Sequence, residues 1–292
     1  MATSNSRTIG LLCLLVTSVG WGLNWPGMKF LLTQLPPMSA RGSAGIAAAI
    51  ILAGIALRRG ERLTVPPRQF GRLAVAAFIN VFAWMGFATL ALRWLAAGQA
   101  ALLVYTMPVW ATLLAWPLLG QRPGARNVAG LALCLGGLAI LFGGSGLALG
   151  AGQLPGVLLA LGAAILFALG TVTPGLRLSL PPLTSVVWQL GLGCAPMLAY
   201  GLLFEQPRWE ALTPLGWALM AYMTAVPMAV CYLGWFAALR RLPPATASIA
   251  TLLTPVIGVL AAAVALGEPL GWREVLALAL TVGGLALVLR RA

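Results

Sequence analysis

The chain has 292 residues, 61% hydrophobic and only 8% charged. That is far less polar surface than a soluble domain of this length needs. Its net charge of +13 raises nucleic acid as a partner, but the basic residues sit in short segments between apolar runs, the pattern of charge flanking membrane spans, so a nucleic-acid role is set aside. The four cysteines form no CxxC pair and the chain has no histidine, which argues against a disulfide framework or a zinc site and leaves the cysteines as packing residues.

A bilayer core takes roughly 20 apolar residues per helix. Cut at its charges, prolines and glycine clusters, the chain divides into ten predicted spans near 9–31, 39–57, 71–92, 98–119, 126–143, 154–176, 185–204, 215–239, 246–266 and 272–289. The first has only Arg7 ahead of it and no small-residue cleavage site behind it, so it reads as a retained helix rather than a signal peptide. With the N-terminus in the cytoplasm, 13 of the 18 basic residues fall on the cytoplasmic side. Lys29, Arg41, Arg93, Arg208 and Arg273 fall on the other. Both termini are therefore expected in the cytoplasm. Lys29, Arg41 and Arg93 are placed at the outer mouth, where they would guide an anionic group.

Residues 91–142 align without a gap onto 238–289 at an offset of 147, with about two residues in five identical. The matches include Arg93/Arg240, Pro108/Pro255, Gly120/Gly267, Arg126/Arg273 and Gly136-Gly137/Gly283-Gly284. Weaker echoes link Pro26-Gly27 to Pro174-Gly175, and Leu35-Pro36-Pro37 to Leu180-Pro181-Pro182. Each half holds an odd number of spans, so the second must cross the membrane in the opposite sense. The expectation is an all-α integral membrane protein. Ten transmembrane helices form two inverted five-helix repeats, residues 1–147 and 148–292, around a central cavity. The two glycine pairs are assigned to close packing between spans five and ten.

The first span carries Trp21-Gly22-x-Asn24 followed by Lys29. Spans four and five run from Ala91-Leu92-Arg93 through Pro108 and Leu119-Gly120 to Gly137, and spans nine and ten repeat the series with Gly267-Glu268 and Gly283-Gly284. Over nearly its whole length the chain resembles the EamA-type ten-helix carriers of the drug/metabolite transporter superfamily, and within them the YddG-type amino-acid exporters. That resemblance implies a monomeric carrier in a bacterial inner membrane, exporting amino acids or similar polar metabolites. The glutamate that follows the glycine in the family is kept as Glu268, but Gln121 stands in the first half.

Proline inside a helix frees a carbonyl and kinks the chain. Pro26, Pro108, Pro174 and Pro255 recur at matched places and are read as hinges at the cavity. Asparagine and glutamine cannot satisfy an amide within their own helix as serine and threonine do. Asn24, Asn80 and Gln189 are therefore read as cavity residues, together with Trp84, Tyr105 and Thr251, and Trp188 as a further candidate. The predicted cavity is lined by spans one, three, four, six, eight and nine, with span seven, which carries Gln189, as a further candidate.

There is no aspartate, and all five acids lie in loops or at span ends, so no charged side chain is expected within the cavity. Proton coupling normally needs an intramembrane ionisable group, and ATP use needs a Walker motif. Facilitated passage without a cofactor is the simplest expectation, with a small-molecule substrate and membrane lipid as the partners. Nucleosides, sugars or drugs remain alternative cargoes. A non-transporting membrane assembly protein remains the alternative of a different class, and an intramembrane enzyme lacks any catalytic constellation.

Overall fold

Prolines start the helices and glycines stop them. Pro37, Pro67, Pro182 and Pro214 each open a helix, where a missing amide hydrogen costs nothing. Gly120 and Gly267 close two others at φ 68° and 66°, a left-handed conformation that glycine adopts without a Cβ clash. The computed structural model describes residues 4–142, 152–176, 178–242 and 252–289. Those residues are helical, with no strand among them.

In chain order the helices are α1 (Ser4–Leu31), α2 (Pro37–Arg58), α3 (Pro67–Ala91), α4 (Ala97–Leu119), α5 (Ala125–Phe142), α6 (Leu154–Val172), α7 (Pro182–Glu205), α8 (Pro214–Leu239), α9 (Leu253–Leu266) and α10 (Trp272–Leu289). The first eight are long and apolar enough to cross a membrane, and α9 is a shorter apolar helix. Their outward faces carry large apolar side chains, such as Ile50, Leu203 and Val264 at 68%, 72% and 88% exposure. Such a surface suits lipid and would aggregate in water. Three helices are locally unwound to π geometry, α3 over Phe78–Phe87, α7 over Gly201–Glu205 and α8 over Val226–Val230.

Helix α1 packs on α8 and α9, while α6 packs on α3 and α4. Two further pairs, α2 with α7 and α5 with α10, are the most intimate. Between α5 and α10 the backbones nearly touch. A Cβ on Gly137 would lie 2.9 Å from the Ala277 carbonyl, and one on Gly284 would lie 2.5 Å from that of Gly130. Cys134 Sγ approaches the Thr281 carbonyl at 3.5 Å between them. Gly136 and Gly283 face open space, so only the second glycine of each pair makes the close approach expected of both.

Four polar links tie one end of the bundle. Glu205, at the end of α7, accepts the Met38 and Ser39 amides at 3.1 and 2.8 Å and the Ser39 hydroxyl at 2.7 Å, capping α2. Glu268, just after α9, accepts the Ala97 and Gly98 amides at 2.6 and 3.0 Å, capping α4. Lys29 donates to the carbonyls of Leu92 and Leu95 at the close of α3. The Gln34 carbonyl oxygen accepts the Thr213 amide at the start of α8. Carboxylates at helix N-termini and an ammonium at a C-terminus both follow the helix dipole.

Candidate functional site

A cavity of about 430 Å³ lies among α1, α2, α3, α4, α6 and α8. Its walls are mostly aromatic. Phe167, Trp84, Tyr105 and Trp25 form one chain of rings, with centroid separations of 4.5, 6.3 and 6.3 Å. Trp21 joins Tyr232 and Trp235 at 5.9 and 6.0 Å to form another. Aromatic walls give a large apolar contact that tolerates varied side chains.

Local backbone irregularities shape these walls. In α4 the first helical segment ends at Val104, Tyr105 and Thr106 form a turn, and helix resumes at Met107 with Pro108 in its first turn. The Thr106 hydroxyl donates to the Leu103 carbonyl at 2.6 Å and accepts Trp110 Nε1–H at 3.0 Å, tying the turn to the helical segments on either side of it. In α8, Pro227 is the second residue of the π turn, and its carbonyl accepts Trp21 Nε1–H at 2.9 Å. The π segment of α3 carries Trp84 and Met85 into the cavity wall, just ahead of Ala88 and Thr89. Such turns are rare and recur at functional sites.

The polar part of the cavity is a cluster around Arg41. This residue is 5% exposed and lines the cavity, where the sequence reading placed it at an outer mouth and expected no charge inside. Its Nε donates to Thr89 Oγ1 at 3.0 Å and its Nη1 to Asn24 Oδ1 at 3.4 Å, joining α2 to α3 and α1. None of the five glutamates lines the cavity.

Of the residues singled out in the sequence, Asn24, Trp84, Tyr105 and Pro108 meet in this cavity. Asn80 and Gln189 do not line it. They bond each other at 2.9 Å and join α3 to α7, while Gln189 also donates to Ser185 at 2.9 Å. Trp188 lies against the segment that follows α2, donating to the Leu63 carbonyl at 2.7 Å. Pro26 is inside α1 and buried. Pro174 is not in a helix interior: α6 ends at Val172, and Pro174 opens a short 3-10 turn. Pro255 is buried in the first turn of α9, and Thr251 lies outside the described residues. Helix α2 contributes to the cavity where span nine was expected to. Sequence reasoning missed Arg41, Thr89, Pro227 and the second aromatic wall. The signal for Arg41 was its neighbourhood of small residues, Ala40, Gly42, Ala44 and Gly45, which lets adjacent helices close over it.

The pattern of the EamA-like transporter family matches the chain twice, over residues 8–143 and 154–290. The uncharacterized transporter YvbV of Bacillus subtilis is 30% identical, the match covering 97% of this chain and 92% of that protein. The uncharacterized inner membrane transporter YedA of Escherichia coli K12 is 28% identical over 92% of this chain and 86% of its own. A probable amino-acid metabolite efflux pump of Salmonella typhimurium is 26% identical over 96% and 94%. One solved protein structure superposes with a TM-score of 0.65 at 20% identity, covering 98% of this chain and 96% of that one; it shares the fold.

Proposed function

Because the chain belongs to the EamA-like transporter family, and so is a multi-pass membrane transporter, we propose that it exports amino acids or similar small amphipathic metabolites by alternating access. The observation that carries this reading is the cavity between the halves, walled by four helices of the first and two of the second. At about 430 Å³ it falls in the ordinary range of small-molecule pockets, roughly 300–1,000 Å³. It combines apolar walls with one polar cluster. The amino-acid reading draws on the efflux-pump relative.

The proposed architecture is ten transmembrane helices in two inverted repeats, acting as a monomer in the bacterial inner membrane with both termini cytoplasmic. Its support is the pairing of equivalents. Cys134 and Thr281 differ in number by 147, as do Gly137 and Gly284, and Gly130 and Ala277. Cys134 thus meets its own repeat partner, Thr281, and the contacts of Gly137 with Ala277 and of Gly284 with Gly130 are exchanged by the same shift of 147, as an axis running between these helices requires. The exchange of α1–α8 and α1–α9 for α6–α3 and α6–α4 follows the same operation. In this topology the capped end, with Glu205 and Glu268, faces outward. Asn24, Trp84 and Tyr105 contact substrate, Pro108 is the hinge in α4, and Asn80 with Gln189 latches the halves on the cytoplasmic side.

Transport is facilitative in this reading, since no carboxylate or imidazole in the cavity can carry a proton. Counterflow of labelled amino acids in proteoliposomes should therefore persist at an unchanged initial rate when a protonophore collapses the pH gradient. Loss of counterflow under those conditions would refute the facilitative mechanism. Movement of nucleosides or sugars without any amino acid would refute the substrate assignment and leave the carrier architecture standing.

A further inference from the structure

We infer that Arg41 anchors an anionic group of the transported solute, so that the cavity selects amphipathic carboxylates by their carboxylate and does not require their amine. The inference rests on the transport reading and narrows its substrate class. Arginine stays protonated in proteins and presents five N–H donors in a planar fork. Here Nε and Nη1 are met by neutral oxygens, while Nη2 has no partner among the described residues. Nη2 is also absent from the sealed, unpaired side-chain atoms, which are Glu61 Oε2, Thr254 Oγ1 and Thr281 Oγ1. It is therefore open to the cavity that Arg41 lines.

A guanidinium buried without a counter-ion is costly, and it is retained only where pairing or function offsets the cost. The protein supplies no acid to pair with it. Glu205 and Glu268 are engaged at helix N-termini, and Glu61, Glu210 and Glu274 do not reach the cavity. A solute carboxylate supplies the missing charge, and the free edge of the fork offers it parallel N–H bonds. With a simple carboxylate the loaded cavity is electrically neutral, and with a zwitterionic amino acid it keeps one positive charge. The ammonium of an amino acid meets no carboxylate there, and the Pro227 carbonyl is already occupied by Trp21. The carboxylate therefore carries the recognition, while the aromatic walls hold the apolar body.

A matched series separates these contributions: phenylalanine, 3-phenylpropionate, phenylalanine amide and phenethylamine. They are assayed as competitors in counterflow and as ligands quenching the tryptophan fluorescence of the purified protein. The expected result is that 3-phenylpropionate matches phenylalanine within about threefold, while the amide and the amine are at least tenfold weaker. Arg41→Lys should weaken both carboxylates about tenfold by losing the fork. Arg41→Gln should bring acid and amide to equal affinity. Because Arg41 joins three helices, Arg41→Gln can fail to fold, and the wild-type series alone then decides. Equal competition by amide and acid in the wild type overturns the inference. So does selective movement of uncharged nucleosides or sugars, which leaves the transport reading intact. Carboxylate-selective quenching without any counterflow supports the site and overturns the transport reading. No quenching and no transport overturn both.

Discussion

Replacing Gly284 with leucine should abolish the folded, monodisperse protein in detergent, while the same change at Gly283 should leave yield and melting temperature unchanged. The two glycines are adjacent in α10, and composition offers no reason to separate them. Geometry does, because a Cβ at position 284 would meet the Gly130 carbonyl at 2.5 Å and Cys134 Sγ at 2.7 Å, whereas nothing lies within 4 Å of one at position 283. A backbone carbonyl cannot move aside as a side-chain tip can. Extra volume in a packed core costs about 1–3 kcal/mol where side chains can yield, and here the helices themselves must part. Gly137→Leu should behave like Gly284→Leu, since its Cβ would lie 2.9 Å from the Ala277 carbonyl, and Gly136→Leu should behave like Gly283→Leu. Size-exclusion profiles and thermal melts of the four variants are the measurement. Equal tolerance at positions 283 and 284 would contradict the close α5–α10 packing.

That contrast also shows what the sequence carried and where it stopped. Helix limits were legible because they are set locally. The pairs Pro36-Pro37 and Pro181-Pro182 mark starts, Gly120 and Gly267 mark stops, and the predicted 98–119 and 215–239 spans agree with α4 and α8 within one residue. The glycine pairs were legible as packing devices, but adjacent residues on a helix point about 100° apart, so only one of each pair can face the partner. The π segments of α3 and α8 were not legible, because a widened turn is held by its neighbours and leaves no composition of its own. Arg41 was misplaced for a related reason. One turn into a span, an arginine ordinarily reaches out to the polar interface, and only the partners it finds on α1 and α3, Asn24 and Thr89, turn this one into a cavity wall. Asn80 and Gln189 were correctly marked as amides needing partners, but each found the other rather than the cavity.

In the topology proposed above, neutralising both acids of the capped end, Glu205→Gln with Glu268→Gln, should shift the carrier toward a conformation open at that end. Each carboxylate holds two backbone amides at the start of a helix in the opposite half: α7 holds α2, and the turn after α9 holds α4. Hydrogen bonds to a charged group contribute about 1.5–3 kcal/mol, and a charge at a helix N-terminus contributes about 0.3–1 kcal/mol more. Glutamine keeps the shape and one accepting oxygen but loses the charge, so a loss of roughly 1.5 kcal/mol per site is reasonable. Two such losses change the ratio of open to closed states about a hundredfold, since every 1.4 kcal/mol is tenfold. The readout is a cysteine placed at Ala88, which lines the cavity at 7% exposure, with the four native cysteines replaced. Its labelling by a membrane-impermeant thiol reagent, applied from outside, should rise at least tenfold in the double variant and less in each single one. If the two acids serve only as helix caps, the double variant will melt earlier with no change in labelling, and the gating role is refuted. Lys29 gives the control: it bonds the closing turn of α3 at the same end. Because α1 and α3 belong to the same half, Lys29→Met should leave labelling unchanged while it lowers the melting temperature, since an ammonium at a helix C-terminus stabilises that helix end without bridging the halves.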